Sequence, residues 1–213
     1  MGVAELVEHY GLTAEAWPGF RAAVRDGRLT LLPLDGNPAW RGIPDLDEAG
    51  PRAVTSYLSA YGPAAVDHLH YWLGEGLSAG RQRINRWFAS LEHRLVAVDV
   101  ERTAAFVCSE HVDALASAVP SDEVRLLPGH DQWVMGPGTK DAHVTPVNLR
   151  GAITRRANPV IHGGVVRGTW TRRDKELVVS WQSDRPAPVS SIDREARRLS
   201  DLLGHELQLR MTR

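Results

Sequence analysis

The chain has 213 residues, 25 Lys+Arg against 26 Asp+Glu, and 43% hydrophobic residues. That length exceeds one small module and suits two or three compact units. No apolar run approaches the ~18 residues of a membrane span, the N-terminus has neither a charged n-region nor an h-region, and the single cysteine, Cys108, excludes an intrachain disulfide framework. A cytoplasmic protein with no membrane partner is expected.

Val3, Leu6, Val7 and Tyr10 repeat at i, i+3, i+4, i+7, predicting a short amphipathic helix that Gly11 ends. Thr13 can cap a second helix carrying Trp17, Phe20 and Val24 inward, with Arg21, Arg25 and Arg28 at helical spacing. Leu29 to Leu34 reads as a strand, Asp35-Gly36-Asn37-Pro38 as a turn, and Trp40 as the start of a returning strand. Two helices and a hairpin are one helix short of a winged helix. Residues 1–47 are therefore expected to be a partial module, with the chain beginning inside it.

The next stretch carries the clearest pattern. Val54, Tyr57, Leu58 and Tyr61 mark a helix over 48–61, stopped by Gly62, and Pro63 suits the first position of the next. Val66, Leu69 and Leu73 face inward on a helix over 64–73. A third helix over 77–91 follows the Gly74-Glu75-Gly76 turn. Leu95 to Val100 and Thr103 to Cys108 are β-branched runs joined by Glu101-Arg102, a hairpin. Three helices and a hairpin make a complete winged helix over 48–119, with a helix at 110–118 leading out.

After Pro120 glycine and proline become frequent and the pattern turns to short strands, giving a β-rich C-terminal domain over 120–213. Val165–Thr171 and Glu176–Trp181 form a hairpin, a helix over 190–203 buries Ile192, Ala196, Leu199 and Leu203, and Leu207–Met211 reads as a closing strand. The fold class is thus α+β: tandem winged-helix modules, the first incomplete, then a β-rich domain with a terminal helix.

A net charge of −1 does not announce a nucleic-acid partner, but only Lys140 and Lys175 are lysines, so 23 of the 25 cations are arginine. Arginine forks suit phosphates and guanine edges. GC-rich codon usage produces the same bias, so their positions matter more than their number. On helix 77–91, Leu77, Ile84, Phe88 and Leu91 fall within about 60° of one another. The opposite face carries Gln82, Arg83, Asn85, Arg86 and Ser90 with no acid among residues 77–91, a set able to contact bases or phosphates of double-stranded DNA. The hairpin tip offers Arg102, beside Glu101. Arg150, Arg155, Arg156, Arg167, Arg172 and Arg173, six arginines within 24 residues, can make a phosphate track or scattered solvated charge. The candidate DNA-binding residues are therefore Gln82, Arg83, Asn85, Arg86, Arg102, Arg155, Arg156, Arg172 and Arg173.

His68 and His70 lie about 200° apart on a helix and cannot share one metal. His130-Asp131 suits an acid/base pair less well than a turn-stabilising aspartate. The sequence has no Gly-x-Gly-x-x-Gly, no Walker loop and no Cys-x-x-Cys, so no cofactor and no metal is expected.

Three segments stand out in order: Tyr57-Leu58-Ser59-Ala60-Tyr61-Gly62-Pro63-Ala64 with Trp72; Leu126 through Gly138, LLPGHDQWVMGPG; and Gly163 through Trp170, GGVVRGTW. The chain in this respect resembles the C-terminal part of the winged-helix DNA-binding-domain family that includes bacterial alkylpurine and interstrand-crosslink DNA glycosylases. The resemblance implies a concave, DNA-sized surface and hydrolysis of the N-glycosidic bond of a damaged base. It also implies a Gln-x-Gln or Gln-x-Asp pair in a first winged helix to position the attacking water. None of Gln82, Gln132, Gln182 and Gln208 makes Gln-x-Gln, and Gln182-Ser183-Asp184 follows a predicted C-terminal strand, where the letter match reads as chance. The expectation is a protein that binds double-stranded DNA without a complete glycosylase site and with no catalytic residue of its own. The alternative is a DNA glycosylase whose catalytic N-terminal module is absent from this sequence or supplied by another chain, one that would cover the incomplete module. A third reading is an interaction module without DNA affinity.

Overall fold

The computed structural model describes residues 20–25, 28–34, 37–74, 80–119 and 121–212, with side chains described from Leu34 onward except Gly74. The chain divides into two compact units, Met1–Arg52 and Ala53–Arg213.

In the first unit, β1 (Phe20–Arg25) pairs antiparallel with β2 (Arg28–Pro33), from Phe20↔Pro33 to Arg25↔Arg28. This corrects the expected helix through Phe20 and Val24. Phe20, Ala22 and Val24 alternate with Arg21, Ala23 and Arg25, a period of two that the i, i+4 spacing of Phe20 and Val24 concealed. Asp26-Gly27, between the paired ends, is a strong hairpin dipeptide. Strand β2 thus pairs backward with residues 20–25 rather than forward with Trp40, which lies outside any strand. The helices expected before residue 20 lie outside the described residues. Asp45 opens α1 (Leu46–Tyr61), its carboxylate accepting the Asp47 N–H at 2.8 Å.

The second unit begins with the winged helix. Val54, Tyr57 and Leu58 of α1 are buried, and the Gly62 N–H closes the helix on the Leu58 carbonyl at 2.8 Å. Then come α2 (Val66–Leu69), one π-helical turn (His70–Gly74), α3 (Arg81–Ser90), and a hairpin of β3 (Leu95–Val100) and β4 (Thr103–Cys108). The pairing runs from Leu95↔Cys108 to Val100↔Thr103, and Glu101 and Arg102 both take positive φ, 49° and 70°, as a two-residue hairpin turn demands. Leu69, Ile84, Trp87, Phe88, Leu91 and Cys108 join the α1 residues in one core. The expected exit helix is a 3₁₀ turn (Ser109–His111) followed by α4 (Val112–Ala116).

Beyond it lies a five-stranded sheet in the order β5 (Val124–Leu126), β6 (Asn158–His162), β7 (Val165–Arg173), β8 (Glu176–Trp181), β9 (Gln208–Thr212). All neighbours are antiparallel except β8 and β9, whose parallel pairing needs a crossover. Helix α7 (Val189–Leu203) supplies it, packing Ile192 and Ala196 against Val160, Leu177, Val179 and Trp181. Two further helices, α5 (Gln132–Met135) and α6 (Val147–Thr154), bury Val134, Leu149 and Ile153 against Ile161 and Val166. Leu203, expected inward, is 44% exposed because α7 ends there, at Gly204 in the left-handed conformation. The region is α+β, as expected.

Candidate nucleic-acid interface

Helix α3 is the third helix of the winged helix, the element that in this fold enters the major groove. Its inner stripe, Ile84, Trp87, Phe88 and Leu91, is buried, with Trp87 widening the stripe expected from Ile84, Phe88 and Leu91. Gln82, Asn85 and Arg86 are exposed, and Arg83 is half-buried. None of these four side chains makes a hydrogen bond or ion pair with a described residue, so their donors are uncommitted. Ser90 differs: its hydroxyl donates back to the Trp87 carbonyl at 2.8 Å. Arg81, one turn before Asn85, pairs with Asp67.

The wing tip does not project freely. Glu101 Oε2 lies 3.3 Å from His143 Nε2, and Asp141 Oδ1 lies 2.9 Å from both the backbone N and Nδ1 of His143. His68 Nε2 approaches the other Asp141 oxygen at 3.8 Å. The tip is thereby tied to the loop after α5, and Arg102 is left exposed beside this contact with only its backbone N–H engaged, on Asp99. Behind the contact is a cavity of about 260 Å³ whose lining includes Tyr57, Tyr61, Trp133 and Asp141 and contains no Lys or Arg. A phosphate would meet no lysine or arginine there, and would face the Asp141 carboxylate.

The sheet register brings four of the C-terminal arginines to one end. The β6–β7 ladder starts at Asn158↔Trp170, so Arg155 and Arg156 enter β6 where Arg172 and Arg173 leave β7. Asn158 ties this end together, accepting from the Gly129 N–H at 2.8 Å and donating to the Trp170 carbonyl at 3.2 Å. All four arginines are exposed and none forms an ion pair with a described residue. Arg150, by contrast, is committed to the carbonyls of Thr139 and Lys140 at 3.0 and 2.8 Å.

Other motif residues serve the architecture. Asp131 caps α5 through the Trp133 N–H at 2.9 Å. Gly136 faces the Tyr61 ring and Gly138 (φ 91°) the Tyr71 ring so closely that a Cβ at either position would strike the ring. Sequence reasoning missed the seam these glycines form with Tyr57, whose hydroxyl donates to the Gly136 carbonyl. The available signal was two glycines flanking Pro137 together with aromatics one helical turn apart at 57 and 61. Gln182 follows β8 directly, with its amide on the Ser180 hydroxyl at 3.1 Å.

The sequence profile of the family described as DNA glycosylase AlkZ-like matches residues 7–202. The chain belongs to the AlkZ-like DNA glycosylase family. An interstrand DNA cross-link repair glycosylase of Streptomyces sahachiroi is 37% identical over 170 residues, 78% of this chain and 46% of the relative. The solved structure of the Streptomyces sahachiroi DNA glycosylase AlkZ superposes with a TM-score of 0.84 at 34% identity, covering 92% of this chain and 56% of that one. The chain thus spans about half the length of these AlkZ-like relatives.

These findings correct two expectations. The AlkZ-like likeness is not confined to a C-terminal part, since it runs across nearly the whole chain, 7–202. Nor does the reading as a DNA-binding protein without a complete glycosylase site hold, because the matching over most of the chain is to a glycosylase. That reading rested on a missing Gln-x-Gln, and a missing motif carries no weight in a chain spanning about half the length of its relatives.

Proposed function

We propose that this chain is a DNA glycosylase that excises an alkylated base from double-stranded DNA. The backbone likeness to the Streptomyces sahachiroi glycosylase over 92% of the chain carries the proposal. In the reaction a water oxygen bonds to the sugar C1′, the C1′–N bond breaks, and the base leaves with the electron pair while the water gives up a proton. A base alkylated at another ring nitrogen leaves readily, because the pair taken by its glycosidic nitrogen neutralises the positive charge of the ring. The protein must therefore hold the duplex and place the water.

Holding the duplex falls to the uncommitted arginines and to two amide side chains. Gln82, Arg83, Asn85 and Arg86 on α3 face the groove, Arg102 meets a flanking phosphate, and Arg155, Arg156, Arg172 and Arg173 follow the backbone at one end of the sheet. Uncommitted arginines favour this use, since phosphate contacts release counterions and supply most of the affinity. The working modules are 1–47, 48–119 and 120–213. A second chain sits on the N-terminal module, and the place of action is the cytoplasm. The test is release of free base from an alkylated duplex by the purified chain, with abasic product in equal amount. No release from a duplex that the folded chain binds would overturn the enzyme reading.

A further inference from the structure

Six arginines in and around the sheet have a partner, Arg150 with its two carbonyls among them. Arg125 pairs with Glu123, Arg197 with Asp193, Arg198 with Glu195 and Arg210 with Glu176. Arg194 donates to the Ser191 hydroxyl. Arg167 in β7 has none: its Nε is buried away from solvent without a hydrogen-bond partner. A buried donor left without an acceptor is destabilising, and more so when it is charged.

The chain path brings a second cation to it. At the end of the β7–β8 ladder the Gln182 N–H donates to the Arg167 carbonyl at 2.8 Å. The next residues fold back, so that the Arg185 carbonyl accepts from the Trp181 indole at 2.7 Å. Arg185 is exposed, and its side chain also lacks an ion pair among the described residues; Asp184 beside it pairs with neither arginine. Burial, and then the charge of Arg185, push the Arg167 guanidinium below its ordinary pKa. Two cations repelling one another around an unused buried donor are stabilised by an anion, and the planar fork of arginine fits the oxygens of phosphate.

We propose that Arg167 and Arg185 form a clamp for a single phosphate group, Arg167 from the sheet and Arg185 from the solvent side. The proposal rests on the DNA-glycosylase reading only for the source of that phosphate, which is then the backbone of the duplex. It lies toward the other end of β7 from Arg172 and Arg173, and it uses one phosphate rather than a track.

The test compares the full chain with Arg167→Met, Arg185→Ala and the double variant. Each is titrated with an unmodified duplex across a salt series and melted with inorganic phosphate against chloride at matched ionic strength. Each single variant should flatten the salt slope by about 0.9, the value for one phosphate on B-DNA. The double variant should lose no more than a single one, because both side chains hold one group. Inorganic phosphate should raise the melting temperature of the parent and not of the variants. A phosphate shift without duplex binding by the parent would keep the clamp and remove the DNA reading. If Arg167→Met fails to fold, Arg185→Ala, exposed and outside the core, decides alone. A folded Arg185→Ala with unchanged slope and unchanged response to phosphate would overturn the proposal.

Discussion

The Tyr57 hydroxyl, buried in α1, donates to the carbonyl of Gly136 at 3.1 Å, across 79 residues of chain. Tyr57 packs on Tyr61 at 5.1 Å and on Trp72 at 5.2 Å between ring centroids, so one side chain joins the winged helix to the loop after α5 in the β-rich region. Tyr57→Phe keeps the ring and removes one buried hydrogen bond. It should cost about 0.5–1.5 kcal/mol, more if the Gly136 carbonyl is left without a donor. Urea denaturation at neutral pH measures it.

The same residue sets an alkaline limit. Burial, reinforced by Asp141 and Tyr61, holds the Tyr57 hydroxyl well above the ordinary tyrosine range. Above the ordinary value of about 10 the unfolded chain releases this proton while the folded chain keeps it. The stabilisation is full below that pH and falls as pH rises. Denaturation midpoints followed from pH 8 to 11 should drop less steeply for Tyr57→Phe than for the parent. Parallel curves would show that Tyr57 ionises as freely in the folded state as in the unfolded.

Gly136→Ala tests the same seam from the other side. The added methyl falls into the Tyr61 ring, and overpacking of this kind costs about 1–3 kcal/mol. Gly138→Ala adds strain at a positive φ to a clash with Tyr71. A thermal melt of either variant that matches the parent would mean the seam is looser than the packing indicates.

Glu195 is 2% exposed, accepts the Leu126 N–H at 3.1 Å, and takes both Nε and Nη2 of Arg198 at 2.6 and 2.8 Å. It therefore joins α7 to the edge strand β5. Glu195→Ala leaves the Leu126 N–H without its acceptor and should cost about 1–3 kcal/mol, with little added by Arg198, whose half-exposed guanidinium turns to water. Glu195→Gln, which still accepts, should cost less. Equal losses in the two variants would place the stability in the carboxylate charge rather than in side-chain volume or in acceptance of the Leu126 N–H.

How much of this was legible in the sequence depended on whether one period dominated. Residues 95–108 are β-branched runs around a two-residue turn, and their boundaries were read to the residue. α3 was readable because an apolar stripe lies opposite a face without acids, though its inner member Trp87 went unnoticed. Residues 20–25 mislead because Phe20 and Val24 satisfy both periods, and only the Asp26-Gly27 dipeptide favours the hairpin. β6 (Asn158–His162) escaped because Pro159 argues against a strand. The cluster at the end of the sheet was legible as a count of arginines but not as a place. Only the register Asn158↔Trp170 sets Arg155 and Arg156 beside Arg172 and Arg173. The seam of Tyr57 with Gly136 joins residues far apart in the chain, and no local pattern reports such a contact.

The proposed groove-facing helix yields a binding prediction. Arg83→Ala with Arg86→Ala should weaken duplex binding and flatten its salt slope by about 1–2, since two separate phosphates lose a cation. Asn85→Ala should act on base or structure preference with little change of slope. Both variants should melt like the parent, because Ile84, Trp87 and Phe88 point the other way. A folded double variant with the parent's affinity and slope would move the interface to the arginines at 155–173.

The most direct test of the central claim is base release. A duplex bearing N7-alkylated purine is incubated with the folded chain, and free base and abasic strand are counted against a protein-free control. Release above the control, in equal amounts and lowered by Arg83→Ala with Arg86→Ala, is the predicted result. A chain that binds the duplex yet releases no base would contradict the assignment of glycosylase activity to this protein.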